Sequence, residues 1–288
     1  MSEVQVQNVL TRTTGFLKTV TSHSLQPYRG CSFGNALCGV GCYVQHSYWV
    51  TKGRDWGSFL EVRTNAADAY RVKVDSERRW PRKTTGSFGV FMSSSTDPFV
   101  PQETKYGVSQ SVLEAMVESS PDVLVVQTHS HTVERYLPVL KELDGRCELR
   151  VHVSIETDLE SVPGLPRHAS SVRDRFRAVA LLRDAGIRVV VTVAPLLPIE
   201  DPERFFSRIS DSVSTVVIDH FVEGDGSKDG NRTLRTPLPD AMRGLDPDSL
   251  GLAYRDQIVA VAERCMPGRV GVSIDGFAGR MRDQTGDK

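Results

Sequence analysis

Short runs of aliphatic and β-branched residues alternate along the chain with longer amphipathic stretches. The runs are GVFMSS (89–94), VLVVQTHS (123–130), LRVHVSIE (149–156), IRVVVTVAP (187–195) and TVVIDHF (215–221). They are apolar without strict alternation, the pattern of strands buried on both faces. Between them, SVLEAMVE (111–118), VERYLPVLKEL (133–143), SVRDRFRAVALLRDAG (171–186) and PERFFSRI (202–209) repeat apolar residues every three or four positions, as a helix with one buried face does. Gly186 stands where a helix C-cap is expected. Strand–helix–strand repetition implies parallel βαβ units. An earlier strand near SLQPY (24–28), leading into a cysteine-rich loop, brings the count to about six. The expected fold class is α/β: a partial (βα)6 TIM-like barrel over residues 1–222 with a C-terminal helical extension over 223–288. In the extension, GDGSKDGNRTLR (224–235) reads as a flexible linker or lid, DSLGLAYRDQIVAVAERCM (248–266) as a helix, RVGVSIDGF (269–277) as a final strand and RDQTGDK (282–288) as a disordered tail.

The strand ends share a chemical theme. SSSTDP (93–98), QTHSH (127–131), SIETD (154–158) and APLLP (194–198) fall where a parallel strand meets its following loop. In α/β folds that rim binds ligands. Such residues also cap helices, but four consecutive polar strand ends beside a thiol cluster favour a site.

Composition adds limits. With 39% hydrophobic and 25% charged residues and a net charge of −1, the chain is of ordinary soluble type. No basic excess advertises nucleic acid, which is not expected as a partner. No apolar run approaches the ~20 residues of a membrane span, and MSEVQVQNVLTRTTGF lacks the core of a secretory signal. A cytoplasmic location is expected. Five cysteines, an odd number, argue against a disulfide scaffold. Cys147 and Cys265 stand alone and read as small buried hydrophobes.

The other three cysteines lie within PYRGCSFGNALCGVGCYVQH (27–46). Cys31, Cys38 and Cys42 follow C-x6-C-x3-C, and thiolates select zinc, Cu(I) or iron–sulfur clusters. A structural zinc site needs four ligands, which His46 completes as C-x6-C-x3-C-x3-H. A [4Fe–4S] cluster takes four thiolates; three leave one iron open. Spacing alone leaves both centres standing. Gly39 and Gly41 are expected to ease the loop by adopting positive φ.

PYRGC, a glycine-containing loop and a final Cys-Tyr resemble the cluster-binding segment of radical S-adenosylmethionine (SAM) proteins, in the spore photoproduct lyase-like branch. LEVRTNAADAYR (60–71), SSSTDPFVPQE (93–103), VVQTHSHTVERYLPVL (125–140), VHVSIETD (151–158) and RFRAVALLRDAGIRVVVTVAPLLP (175–198) are similar to later segments of that branch, in order, over roughly residues 8–222. The usual cysteine spacing there is C-x3-C-x2-C; here the gaps are longer by three residues and by one.

The resemblance implies an enzyme whose [4Fe–4S] cluster, fed by an external one-electron donor of flavodoxin or ferredoxin type, cleaves SAM reductively. The resulting 5′-deoxyadenosyl radical abstracts hydrogen from a substrate the sequence does not identify. It implies Cys31, Cys38 and Cys42 as cluster ligands. Ser94 and Thr96 lie where SAM's amino group is received. Ser130 and Ser154 are expected to bond ribose or carboxylate, Glu156 the ribose hydroxyls and Arg175 the methionyl carboxylate. Tyr43 is expected near the adenine, and His129 occupies a place where lysine is common. Spore photoproduct lyases carry a cysteine hydrogen donor near the second strand end. Here the stretch is Ser93-Ser94-Ser95, and a hydroxyl is a poorer hydrogen-atom donor than a thiol. Photoproduct repair is therefore the alternative function on this scaffold, and a Cys3His zinc protein is the other.

Overall fold

The computed structural model describes residues 1–84 and 86–282, the side chains of 82–84 excepted. The tail expected to be disordered falls outside the described residues from 283 onward. Eleven strands are present among the described residues. The first five are β1 (Ser2–Val4), β2 (Leu10–Arg12), β3 (His23–Leu25), β4 (Tyr28–Gly30) and β5 (Leu60–Arg63). They are followed by β6 (Gly89–Met92), β7 (Val123–Thr128), β8 (Glu148–Ser154), β9 (Val189–Val193), β10 (Thr215–Ile218) and β11 (Val270–Val272). Eight form one sheet in the order β11-β10-β9-β8-β7-β6-β3-β2. From β3 to β11 every pairing is parallel, and only β2 runs antiparallel at its edge. The sheet does not close, so the architecture is an open, partial barrel.

The apolar runs follow from burial on both faces. Val90, Met92, Leu124, Val126, Val151, Val153, Val191, Val193, Val216 and Ile218 face the helices in the main core. Their neighbours Phe91, Val125, Val190 and Val217 face inward and pack with Phe277, Phe16 and Leu17. The concave side is thus plugged by the N-terminal 3-10 turn Gly15–Thr19 and the C-terminal helix Ser273–Phe277. Residues beyond 222 supply β11, which extends the parallel sheet beside β10. The expected final strand stops at Val272, where the chain turns into that short helix.

Helices start and stop as their sequences dictate. Ser171 caps Val172–Asp184 by accepting from the Asp174 amide at 3.0 Å, and Gly186, at φ 86°, turns the chain away. Asp201 caps Pro202–Ser212, whose Phe205, Phe206 and Ile209 are buried. Burying each such side chain contributes about 1.5–3 kcal/mol. The region near SLQPY splits: β3 enters the main sheet, then β4 leaves it to pair with β5 in a separate three-stranded sheet, β1-β5-β4. That departure carries the cysteine loop over the C-terminal ends of the parallel strands. No helix among the described residues is long and apolar enough to cross a membrane.

Candidate functional site

The loop after β4 is compact. Gly30 takes φ 83°, and a side chain there would also strike the Phe59 carbonyl, so both the turn and the packing call for glycine. Cys31 follows, buried. Cys38 sits on the helical turn Leu37–Val40, and Cys42 precedes the 3-10 turn Tyr43–His46. Gln45 pins the loop, its Nε2 donating to the carbonyls of Val40 (3.0 Å) and Cys42 (2.9 Å). Gly39 does not use positive φ, contrary to expectation, and neither does Gly41, at φ −81°. Close approach is what Gly39 requires: a Cβ there would lie 2.0 Å from the Phe33 carbonyl oxygen.

All three thiols line one cavity of about 490 Å³, and none is in a disulfide. Burial pushes Cys31 up to about 12, with the Cys42 charge adding to it, and pushes Cys42 up to about 11. Cys38 is also raised well above its ordinary value, by burial first and then by Cys31, Glu156, Asp97 and Cys42. His46 does not join them. Its ring lies off the cavity, lowered in pKa by burial and by the charge of Arg235, with Nε2 unpartnered. Among the described residues no three His, Cys, Asp or Glu side chains converge as the ligands of a single ion do. The Cys3His set is therefore not assembled: the 3-10 turn carries His46 away from the thiols. Ligands of an iron–sulfur cube bind different irons and need no common point.

Ser93, Ser94, Thr96 and Asp97, after β6, line the same cavity. Ser93 is a non-glycine residue at φ 78°, a conformation that strains an L-residue and concentrates at functional sites. Ser94 accepts from Gln26 Nε2 at 2.8 Å, while the buried Ser93 Oγ and Thr96 Oγ1 have no partner. Asp97 ties this loop to the end of β7, accepting from Thr128 Oγ1 (2.9 Å) and the His129 amide (2.7 Å). His129 Nε2 lies 3.0 Å from Glu156 Oε1, near enough for an ion pair though not aligned as a hydrogen bond. Burial raises Asp97, against the opposing pull of His129 and of backbone donors. Burial would also raise Glu156, but Arg175 and His129 outweigh it and hold that carboxyl well below the usual range.

Three residues expected to contact cofactor do not line the cavity. Arg175 is 1% exposed and does not reach the cavity; its Nη1 donates to Glu156 Oε2 at 2.6 Å and to the Ser154 carbonyl. Its charge is spent on Glu156, which is as deeply buried as the arginine. Ser154 is fully buried below the cavity, in a belt where Gln127 Nε2 donates to Ser154 Oγ (2.7 Å) and Thr192 Oγ1 (3.0 Å). Ser130 caps the turn His131–Tyr136, accepting from the Thr132 amide. Tyr43, Ser94, Thr96, His129 and Glu156 do line the cavity.

Sequence reasoning passed over Gln127, Asp219 and Arg232, which also line it. Gln127 Oε1, facing away from its belt partners, and Asp219 Oδ1 are buried without hydrogen-bond partners. Asp219 ends β10 as Glu156 follows β8, so the strand-end pattern extends to it. Arg232 belongs to the expected flexible lid. That segment is instead knotted around Asp225, whose carboxylate accepts from the amides of Ser227 and Thr233, each at 2.8 Å.

No family model matches the chain. A curated relative, the "Radical SAM Nalpha-GlyT isomerase" of Pseudomonas phage M6, is 26% identical over 204 residues, 69% of this chain. Over that stretch the chain is similar to a radical SAM protein. It spans 39% of the length of that isomerase. Among solved structures, a spore photoproduct lyase variant superposes with a TM-score of 0.66 at 15% identity, covering 94% of this chain and 81% of that one. Spore photoproduct lyase complexed with dinucleoside spore photoproduct gives 0.62 at 17% identity, covering 91% and 79%. A variant with bound AdoMet and the dinucleoside gives 0.63 at 15%, covering 94% and 81%. At these identities the structural likeness establishes the fold alone: the parallel, partly open barrel is that of spore photoproduct lyase.

Proposed function

We propose that the chain is a radical SAM enzyme, with Cys31, Cys38 and Cys42 holding a [4Fe–4S] cluster and SAM lying across the strand ends. The observation that carries this reading is the convergence of all three loop thiols on one cavity with the polar ends of β6, β7 and β8, in a chain similar to a radical SAM protein. The donor set fits such a centre. Burial raises all three thiols, neighbouring thiols add to it at Cys31 and Cys38, and no basic residue is among the causes acting on them; a cationic centre would supply the charge that draws off their protons. Unpartnered Ser93 Oγ, Thr96 Oγ1 and Gln127 Oε1 fit a polar ligand, since buried polar atoms are otherwise bonded.

When bound, the reduced cluster and SAM supply a 5′-deoxyadenosyl radical for hydrogen abstraction from the substrate. The chain's own residues bind and orient. Ser94 and Thr96 receive the methionyl amino group. Glu156, kept ionised by Arg175 and His129, accepts from the ribose hydroxyls, and Tyr43 packs against the adenine. The apolar floor of Phe91 and Phe277 keeps water from the reacting carbon. An external flavodoxin- or ferredoxin-type protein delivers the electron.

A dinucleoside substrate is the second reading, favoured by a fold likeness that extends over 94% of the chain. The expectation that nucleic acid is no partner finds no support, because two of the similar structures hold a dinucleoside. Ser93-Ser94-Ser95 offers no thiol at the second strand end, so hydrogen return in this chain would take another route.

The test is anaerobic reconstitution with iron and sulfide. A brown protein with about four irons per chain, releasing 5′-deoxyadenosine from SAM on reduction with dithionite, is expected. A colourless protein holding one zinc and leaving SAM intact would overturn the proposal.

A further inference from the structure

The cavity has two polar flanks. One is Asp97–His129–Glu156, whose charges are mutually engaged. The other comprises Tyr43, Asp219 and Arg232. A Cβ on Gly226 would lie 3.2 Å from Arg232 Nη1, two residues from Gly224, the glycine that backs Asp219, which places both charges beside one turn of the cavity wall. Asp219 is 6% exposed, and its Oδ1 has no hydrogen-bond partner. A Cβ on Gly224 would lie 2.1 Å from Oδ2, so backbone closes the other side of the carboxylate. Arg232 Nη1 donates to the Asp225 carbonyl at 3.1 Å, and its amide donates to Ser227 Oγ at 3.1 Å. No carboxylate lies within ion-pair distance of it among the described residues, and Asp225 is committed to backbone amides. The buried Asp219, whose carboxyl meets Ser273 and the more distant Arg255 charge but leaves Oδ1 free, and the half-buried Arg232 thus face one cavity without pairing with each other. A buried charge needs a partner of opposite sign.

We propose that Asp219 and Arg232 form a substrate subsite for a small zwitterionic group: an amine bonded to Asp219 and an anionic oxygen group bonded to Arg232. A carboxylate and a phosphate ester share the required chemistry, since guanidinium forks onto either. The proposal deepens the radical SAM reading and rests on it for the identity of the occupant, though not for the subsite itself.

The experiment titrates the full-length, iron-loaded, SAM-bound chain with β-alanine, O-phosphoethanolamine, ethanolamine and propionate. Binding is read from tryptophan fluorescence, Trp56 being in the cavity wall. One of the two zwitterions is expected to bind about tenfold tighter than ethanolamine and propionate. A preference for β-alanine names a carboxylate, and one for O-phosphoethanolamine a phosphate. Arg232→Gln should reduce the preferred zwitterion to the level of ethanolamine, and Arg232→Lys should restore part of the difference. Asp219→Asn should reduce it to the level of propionate. Equal binding of all four probes, or an advantage that survives both Arg232→Gln and Asp219→Asn, overturns the subsite. So does loss of SAM retention in Arg232→Gln with the zwitterion advantage intact, which assigns the arginine to the cofactor. The titration is repeated on iron-free chain: zwitterion binding without any iron uptake supports the subsite while removing the cluster.

Discussion

Glu156 and Arg175 show how a single buried charge decides the role of its neighbour. With side chains each 2% exposed and 2.6 Å apart, they neutralise one another, and only Glu156 also lines the cavity. Removing one partner strands the other. Arg175→Met should cost about 3–5 kcal/mol in urea denaturation, and adding Glu156→Gln should recover part of it; additive losses would refute the coupling. Asp219 makes the opposite case, a carboxyl that burial raises to about 7 from an ordinary 3.8. As pH climbs between those values, the unfolded chain gives up its proton while the folded chain keeps it. The fold therefore loses stability across that interval, and the deficit is constant above it. Asp219→Asn does not titrate. Its stability advantage over the parent should be small near pH ~4 and grow to on the order of 1–4 kcal/mol by pH ~8. A difference independent of pH would remove the claim that the carboxyl is raised.

At the scale of elements, the cysteine loop tests the proposed cluster by its packing. A Cβ on Gly39 meets the Phe33 carbonyl oxygen at 2.0 Å and the Gly34 Cα at 2.5 Å, and neither can step aside without moving the Cys38 turn. On Gly41 it meets only the Leu238 side chain, at 3.2 Å. Gly39→Ala should therefore lose most of its iron on reconstitution, while Gly41→Ala and His46→Ala load nearly as the parent does. Equal iron content in Gly39→Ala and the parent would show that the turn does not position Cys38. The same loop shows what could be read in the chain. The strands were legible because runs such as VLVVQT and VVVTV are apolar on both faces, a signal local to each segment. The three cysteines were legible by type and spacing. Close approach of Gly39 to Phe33 was not, because it depends on how the chain folds back on itself. The capping role of Ser130 and the buried pairing of Arg175 were also missed. Their residue types suit a ligand equally well; the local turn decides for Ser130, whose partner is the Thr132 amide, and Glu156, distant in sequence, decides for Arg175. Asp219 escaped because the Asp-His pair was read as part of the run TVVIDHF rather than as its polar end, and Arg232 because it lies in a glycine-rich segment that reads as slack.

At the scale of the whole molecule, the two ends of the chain meet beneath the cavity. Phe16 packs edge-on against Phe277 with centroids 5.7 Å apart, and His152 lies 5.8 Å from Phe277 on the other side. Arg150 Nη1 donates to the Phe277 carbonyl at 3.4 Å. Just before this plug, β11 pairs Val270, Gly271 and Val272 with Val216, Val217 and Ile218. The C-terminal segment therefore covers the edge of β10 and the floor of the barrel at once. Phe277→Ala removes the floor alone, and should lower stability by about 3–5 kcal/mol while leaving a soluble chain that still takes up iron, because the thiols are carried by a different sheet. Ending the chain at residue 268 removes floor and edge strand together. It should expose the unpaired edge of β10, a template for intermolecular pairing, and give a protein that binds a hydrophobic dye and aggregates on concentration. If the shortened chain instead unfolds cooperatively at the parent's urea midpoint, the final strand and the Phe16–Phe277 plug are ornaments on a sheet already complete at β10.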